Sequence, residues 1–292
     1  MTPVLLAARE FQPRTTIASH PQGWQVAARD RVSVFSADFT TELFTAIGDF
    51  QWGAPHVSDD LTRVAFNGEA SVEVRTHSGQ LLREFDYRGW GTNSSGSVRL
   101  VDGGERLWWV DPQAAGDIWT LSDVNSGEVI RSIDTGWDSQ GSRADVLPDG
   151  TAVLSLGAGQ DGVAVFWALV DGRQLRWDGL GLLDLSNRGD VLGMNHAMDS
   201  LYLWNDLEGR PVEFDLTQFA DDEGEVWLAD AAFAGGGIVA SFEPGGLAFA
   251  AESALVPLEL ADAGSSIAGG HGLLVTYHWQ GGAAQLWNLG VQ

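Results

Sequence analysis

The chain repeats a short pattern about every 41 residues, and this repeat restricts the possible folds more than any other feature. Each copy contains a turn rich in glycine or aspartate, which an apolar segment enters and another apolar segment leaves. The seven turns are separated by 37, 43, 47, 39, 47 and 35 residues and are marked by Gly23, Asp60, Gly103, Gly150, Gly189, Gly236 and His271. A period of roughly 20 to 50 residues is typical of architectures in which each repeat buries its apolar face against its neighbours.

A second pattern follows each of these turns at a constant phase. Its copies alternate apolar and polar residues, reach a polar turn and continue into another alternating segment, which is typical of β-hairpins. The nearest candidates for amphipathic helices, residues 213–222 and 251–261, are short and interrupted. Four short strands in each of seven repeats predict an all-β fold, a seven-bladed β-propeller built from four-stranded antiparallel blades.

Two segments also resemble a known family. Residues 117–130 (DIWTLSDVNSGEVI) and 201–214 (LYLWNDLEGRPVEF) are similar to the third strand, Trp-Asp turn and fourth strand of WD40-like propellers. Trp204-Asn205 and Trp287-Asn288 stand where that family has its Trp-Asp pair, whereas Gly270-His271 does not have the phase of its Gly-His element. The resemblance spans the chain and implies membership of the broad WD40-like superfamily, with degenerate repeats.

We predict a single propeller domain over residues 1–292. The predicted repeats cover residues 14–48, 49–88, 89–135, 136–177, 178–216, 217–261 and 262–292. The last repeat stops after its third strand, and the apolar segment at residues 3–9 has no repeat of its own. We therefore expect residues 3–9 to complete the last blade, because closing the ring removes two exposed sheet edges.

The charge and composition exclude several classes of partner and site. The chain has 40 acidic residues and 16 basic residues, all of them arginine, and no cysteine. The absence of cysteine rules out disulfides, thiolate metal sites and thiol nucleophiles. A net charge of −24 repels phosphates, so we expect neither nucleic acid nor an anionic membrane as a partner. Beyond Arg210 there are 11 acidic residues and no arginine or lysine.

The sequence also favours a location and an assembly state. Near the N-terminus there is no basic segment, and the apolar run at residues 4–8 is shorter than that of a signal peptide. No segment approaches the roughly 20 apolar residues of a membrane span. We expect a cytoplasmic monomer that needs no cofactor and no metal ion.

Five tryptophans share one phase within the repeats. They precede the turn positions by 8 to 13 residues, which places them between one blade's outer strand and the next blade's inner strand: Trp52, Trp90, Trp137, Trp177 and Trp227. In a propeller this connection lies on one face, near the mouth of the central channel. Two interpretations remain open. The indoles fill the space between adjacent blades, or they form a binding surface.

Carboxylates accompany several of these tryptophans. Asp138 and Asp178 directly follow Trp137 and Trp177, and Asp221 and Asp222 begin an acidic run before Trp227. An aromatic ring beside a carboxylate is a natural receptor for an arginine, lysine or ammonium group, so these residues are our candidates for binding a basic protein or peptide. The acidic run is also typical of a solvated loop. Its spacing lacks the pattern of a calcium loop, so we predict no metal there.

Motifs for catalysis are few. The six histidines show no zinc spacing, there is no GxSxG motif, and we expect His20 and His56 to be hydrogen-bonded near the cores of their blades. The sequence thus predicts a non-catalytic binding or scaffold propeller. The alternative is a propeller enzyme of the lactonase, lyase or hydrolase type, or a small-ligand or sugar binder, acting at the channel mouth. Candidate channel-lining residues for that alternative are Arg99, Arg143, Asp145 and Asp184.

Overall fold

The computed structural model describes residues 3–50, 53–88, 96–113, 115–157, 165–220, 224–243, 246–251, 254–260, 264, 266–278 and 280–290. Four candidate binding residues, Trp52, Trp90, Asp221 and Asp222, lie outside these ranges. Within these ranges the structure has two short 3₁₀ turns, at Asp102–Gly104 and Thr217–Phe219. Across the described ranges, no helix has the length and apolar character needed to cross a bilayer.

Within the described ranges the structure consists almost entirely of short strands. In chain order they are β1 (Val4–Phe11), β2 (Thr16–His20), β3 (Gly23–Ala27), β4 (Arg31–Phe35), β5 (Glu42–Ile47), β6 (Gly53–Ala54), β7 (His56–Val57), β8 (Arg63–Asn67), β9 (Ser71–Thr76), β10 (Leu81–Asp86), β11 (Gly96–Val101), β12 (Arg106–Asp111), β13 (Ile118–Asp123), β14 (Val129–Asp134), β15 (Gly141–Val146), β16 (Ala152–Gly157), β17 (Val165–Val170), β18 (Arg173–Asp178), β19 (Leu180–Leu185), β20 (Val191–Asn195), β21 (Leu201–Trp204), β22 (Val212–Phe214), β23 (Leu228–Ala234), β24 (Gly237–Phe242), β25 (Leu247–Ala250), β26 (Val256–Leu258), β27 (Ser266–Gly270), β28 (Leu273–Tyr277) and β29 (Gly282–Asn288).

The strands form seven sheets, each with four antiparallel strands, and these sheets are the blades of a propeller. From the innermost strand outwards, blade 1 is β2 to β5, blade 2 is β7 to β10, blade 3 is β11 to β14, blade 4 is β15 to β18, blade 5 is β19 to β22 and blade 6 is β23 to β26. Blade 7 consists of β27, β28, β29 and β1, and the short strand β6 adds to blade 3 beside β11. The predicted seven-bladed β-propeller fold is confirmed.

The N-terminal strand closes the ring. Strand β1 is the outermost strand of blade 7 and pairs antiparallel with β29, from Val4 opposite Asn288 to Phe11 opposite Gly282. The guanidinium of Arg9 lies 4.1 Å from the ring centroid of Phe35 in blade 1. The predicted completion of the last blade by the N-terminal strand is therefore confirmed, and β1 also packs against the first blade.

The apolar core lies between the blades, and the burial of each strand reflects its place in the sheet. A second strand such as β3 is buried along its whole length, because neighbouring blades cover both of its faces. The outermost strand β5 alternates between exposed and buried residues, since one face meets solvent. The largest core cluster joins residues of blades 2, 3 and 4, so adjacent blades share one apolar interior.

A side chain links every pair of neighbouring blades. The innermost strand of a blade is an edge strand, so its backbone N–H groups need acceptors from outside the sheet. In each case a side chain of the preceding blade accepts one of these bonds: Gln25 from Val57, His56 from Leu100, Ser97 from Ala144, Ser155 from Leu182, Asp184 from Phe233, Asp230 from Ile267 and Tyr277 from Ile17. Leaving such a buried N–H unpaired costs about 1–3 kcal/mol. These seven inter-blade bonds hold the inner strands in register around the channel.

Candidate functional site

The five described candidate residues lie in different environments. Trp137 lies between β14 and β15, and Trp227 directly precedes β23, so both occupy the predicted connections between blades. Trp177 instead lies within β18, the outermost strand of blade 4. Asp138 and Asp178 are exposed. The shared sequence phase therefore does not give the three indoles one structural role.

Trp177 packs against its neighbours rather than facing solvent as a free indole. Its ring is stacked on Phe166 with a centroid distance of 4.8 Å and meets the edge of Trp204 at 5.9 Å. Phe166 belongs to blade 4 and Trp204 to blade 5, so the three rings fill the space between these blades. This arrangement matches the interpretation of an indole that packs between blades.

Arg176 of this chain lies between the Trp137 ring and the Asp178 carboxylate, where a basic ligand would otherwise bind. The Arg176 guanidinium lies 5.8 Å from the centroid of Trp137 and 4.9 Å from that of Trp167. Its Nη2 atom is 2.6 Å from a carboxylate oxygen of Asp178. An aromatic ring beside a carboxylate attracts a cation, as the sequence suggested, but here Arg176 supplies that cation.

Trp227 has a different environment. Its side chain is 43% exposed, and it lines a cavity of about 790 Å³ between blades 5 and 6. Its backbone is fixed on both sides, since the Trp227 carbonyl accepts from Glu243 N–H at 2.9 Å and Leu228 N–H donates to the Met198 carbonyl at 2.7 Å. The cavity therefore presents an indole at a defined position.

Four carboxylates line the same cavity. They belong to Asp199, Glu213, Asp215 and Glu225, and no arginine or histidine is among its described lining residues. Hydrogen bonds orient these groups: Asp199 accepts from Asn195 at 2.6 Å, and Asp215 accepts from the Thr217 hydroxyl at 2.7 Å. The Thr217 hydroxyl and backbone N–H lower the pKa of Asp215, so this carboxylate is ionised at neutral pH. We call this site the Trp227 cavity.

The wall of the Trp227 cavity is held by packing behind it. The 3₁₀ turn Thr217–Phe219 supplies part of the lining, and Phe219 stacks on Phe242 of blade 6 with a centroid distance of 4.5 Å. Gln218 also donates to the Leu255 carbonyl at 2.7 Å. These contacts join blades 5 and 6 beneath the cavity, so the cavity is formed before any partner arrives.

A second polar site lies on the inner strands. Arg99 on β11 places Nε 3.2 Å from a carboxylate oxygen of Asp145 on β15, and its Nη1 is 2.6 Å from His56 Nε2. Burial, with the nearby Arg99 charge, holds the pKa of His56 well below its usual range, so the ring is neutral. His20 is also buried, lies 3.3 Å from the Ser58 carbonyl oxygen and has a lowered pKa because of its burial. The prediction of hydrogen-bonded histidines is confirmed.

Arg143, Asp184 and Asp230 extend this polar site across blades 4 to 6. The Arg143 guanidinium donates to the Leu183 carbonyl and lies 4.0 Å from an oxygen of Asp184. Burial raises the pKa of Asp184 to about 7 and that of Asp230 to about 6, against the opposing effect of the Arg143 charge. All four channel candidates from the sequence thus form ion pairs on inner strands.

Sequence reasoning missed Asp230, Tyr277 and most residues of the Trp227 cavity. Asp230 occupies in blade 6 the place of Asp184 in blade 5. The matching Leu-x-Asp segments at 182–184 and 228–230 could have identified Asp230 from the sequence. The carboxylates of the cavity are dispersed along the sequence. The only sequence feature that pointed to this part of the chain was the absence of arginine and lysine beyond Arg210. Among the residues described, no three His, Asp or Glu side chains are grouped so that they could hold a metal ion.

Neither a protein-family model nor a curated protein sequence matches the chain. Solved structures are similar in fold over nearly the whole chain. The β-propeller domain of Cps50 (Swd1) from Myceliophteria thermophila is 11% identical with a TM-score of 0.67, and the match covers 99% of this chain and 100% of that one. The Pan2 WD40 domain of Neurospora crassa is 12% identical with a TM-score of 0.62 and coverage of 98% and 94%. BamB from Moraxella catarrhalis is 11% identical with a TM-score of 0.64 and coverage of 98% and 99%. Identities this low establish the fold alone.

Proposed function

We propose that this propeller is a non-catalytic binding protein that captures a basic segment of a partner protein in the Trp227 cavity. The observation that carries the proposal is an exposed indole in a preformed cavity whose four carboxylates have no basic residue among the described lining. Tryptophan is enriched among the residues that dominate binding energy at protein interfaces. Its ring face and the carboxylates together attract an arginine or lysine side chain.

The charge of the whole chain supports the same partner. The net charge is −24, and no arginine or lysine follows residue 210, so blade 6 carries acidic side chains and no arginine or lysine. Such a charge raises the association rate of a basic partner, and salt weakens its effect. A cavity of about 790 Å³ has room for one or two long side chains of a peptide.

The test is a binding titration with a labelled peptide. A fluorescein-labelled decapeptide of alternating arginine and glycine is titrated with the full chain, and anisotropy is recorded at 50 and 500 mM NaCl. We expect Trp227→Ala to weaken binding by about tenfold, because loss of a tryptophan that dominates an interface costs more than about 1 kcal/mol of binding energy. High salt weakens binding to the wild type, because it screens the exposed carboxylates. A peptide with glutamate in place of arginine does not bind.

Matched variants identify the site. Ile47→Ala truncates an apolar side chain that is 83% exposed on blade 1, so it controls for loss of surface apolar area. Asp178→Asn removes a carboxylate of the sequence-predicted surface that Arg176 already occupies. Both variants are expected to bind the peptide like the wild type. Unchanged binding by Trp227→Ala, or a loss produced by Asp178→Asn alone, would overturn the proposal.

A further inference from the structure

In two aspartates of the Trp227 cavity, one carboxylate oxygen is already fully bonded within the chain. Oδ1 of Asp215 accepts both the Thr217 hydroxyl at 2.7 Å and the Thr217 backbone N–H at 3.0 Å. Oδ1 of Asp199 likewise accepts the Asn195 amide at 2.6 Å and the Ser200 hydroxyl at 3.1 Å. A carboxylate oxygen has about two acceptor positions, so neither Oδ1 atom has a position left for a ligand.

The other oxygen of each aspartate is open to a ligand. Among the residues that the structure describes, none donates a hydrogen bond to Oδ2 of Asp199 or of Asp215. Glu213 is similar, since its Oε1 accepts from the Tyr202 hydroxyl at 3.2 Å and no described residue donates to its Oε2. All three carboxylates are exposed and line the cavity. Each therefore presents one oxygen that has no donor within the described chain.

Strand pairing brings these three carboxylates to one end of blade 5. In the hairpin of β21 and β22, Leu201 is opposite Phe214, and Tyr202 is opposite Glu213. Asp215 follows Phe214 directly, and Asp199 stands two residues before Leu201, so both leave the same end of the hairpin. Burial raises the pKa of Tyr202, and the charges of Glu213 and Asp199 raise it further, so both carboxylates lie near that ring.

This arrangement suits a lysine better than an arginine. A guanidinium binds a carboxylate most strongly through two parallel N–H bonds, which need both oxygens of that carboxylate. At Asp199 and Asp215 only Oδ2 is available. An ammonium group has three N–H donors that diverge from one nitrogen, so each donor can reach an oxygen of a different carboxylate. The methylene stem of the lysine can pack along the exposed indole of Trp227.

We propose that the Trp227 cavity selects lysine over arginine, with Oδ2 of Asp199, Oδ2 of Asp215 and Oε2 of Glu213 as the acceptors of the ammonium group. This inference rests on the proposed function, the capture of a basic segment, and it names the side chain that is captured. Arginine still binds through its charge and the indole face, but it forms fewer strong hydrogen bonds.

The experiment compares three labelled decapeptides that alternate glycine with arginine, lysine or trimethyllysine. Each is titrated with the full chain at 50 mM NaCl, and anisotropy gives the Kd. The lysine peptide is expected to bind about tenfold more tightly than the arginine peptide, because it gains a charge-assisted hydrogen bond. Trimethyllysine keeps the positive charge and the contact with the indole but has no N–H donor, so its peptide should bind about tenfold more weakly than the lysine peptide.

A matched pair of variants tests the part played by the bonded oxygen. Thr217→Val keeps the shape of the side chain but removes the hydroxyl that occupies Oδ1 of Asp215. The preference for lysine should then fall about threefold, because Asp215 can accept a second bond from a guanidinium. Thr40→Val makes the same change on blade 1, where the Thr40 hydroxyl donates to Oδ1 of Asp38 at 2.8 Å. This control should leave the preference unchanged.

The outcomes separate this inference from the proposed function. If neither the arginine peptide nor the lysine peptide binds, or if Trp227→Ala binds both like the wild type, the proposed function and the inference are both wrong. If both peptides bind through Trp227 but arginine binds as tightly as lysine, the function stands and the preference is wrong. Equal binding of the lysine and trimethyllysine peptides, or an unchanged preference in Thr217→Val, would also overturn the inference. The peptide comparison on the wild type needs no variant to fold.

Discussion

Replacement of Asp184 by asparagine should change how the stability of the protein depends on pH. Burial raises the pKa of Asp184 from 3.8 to about 7 in the folded protein. Between these pH values the unfolded chain releases the proton while the folded protein keeps it, so the free energy of unfolding falls as pH rises. A tenfold change in proton affinity corresponds to about 1.4 kcal/mol, so the full loss is about 4 kcal/mol by pH 8.

Asparagine removes this loss without removing the bond between blades 5 and 6, because its amide oxygen can accept the Phe233 N–H. Relative to the wild type, Asp184→Asn should therefore gain up to about 4 kcal/mol in the free energy of unfolding between pH 4 and pH 8. The side chain of Asp184 is 21% exposed, so solvent screens the carboxylate and the measured gain is smaller than this limit. The measurement is urea denaturation followed by tryptophan fluorescence at several pH values.

Asp38→Asn is the matched control. Hydrogen bonds from Ser36 and Thr40 hold the pKa of Asp38 at about 2, so its contribution to stability is present above the usual aspartate pKa and is lost only in strong acid. The difference between this variant and the wild type should stay constant from pH 5 to pH 8. Parallel stability curves for Asp184→Asn and the wild type across the same range would refute the reasoning about the buried carboxyl.

Two further predictions concern the tryptophans and the ring closure. Trp177→Ala should lower the free energy of unfolding by about 2–4 kcal/mol, because it leaves a cavity beside Phe166 and Trp204. Trp227→Ala should lower it by less than about 1 kcal/mol, because that indole is 43% exposed. Equal losses of the two variants in urea denaturation would contradict this difference. Removal of residues 1–11 should lower the melting temperature and promote aggregation, because it deletes β1 and exposes the edge of β29; a truncated chain that melts with the full chain would show that β1 does not close the ring.

The fold could be predicted from the sequence because every blade repeats the same local pattern. Turns at Gly150 and Gly189 recur at a regular spacing, and the segments around them alternate with the period of a strand. Ring closure could be predicted because the last repeat lacked its fourth strand and the apolar segment at residues 3–9 belonged to no repeat. Strand β1 runs from Val4 to Phe11, so it starts one residue later and ends two residues later than the predicted segment 3–9.

The roles of the tryptophans could not be predicted in the same way. Phase fixes where a residue lies along its own blade, but the neighbouring blade decides whether the side chain is covered. Trp177 meets Trp204 of blade 5, and Trp137 meets Arg176, which is 39 residues away in sequence. Trp227 stands at the junction where the facing turns contribute several carboxylates and small residues. Each indole therefore needs the blade pairing before its role can be assigned.

The two candidate sites differ in how far their carboxylates are exposed to solvent and therefore in how those charges act. In the Trp227 cavity the carboxylates are near solvent, where ionisation is cheap, so they act on a partner through an attractive field. In the channel, Asp184 and Asp230 are only partly exposed and ionisation is costly there, so a proton neutralises them at short range. Salt should thus weaken the binding of a basic peptide to the cavity strongly and change the pKa of Asp184 far less, because mobile ions screen partly buried charges less than exposed ones. Measuring peptide binding and the pH dependence of urea denaturation at 50 and 500 mM NaCl distinguishes carboxylates that attract a basic partner from carboxyls that take up a proton.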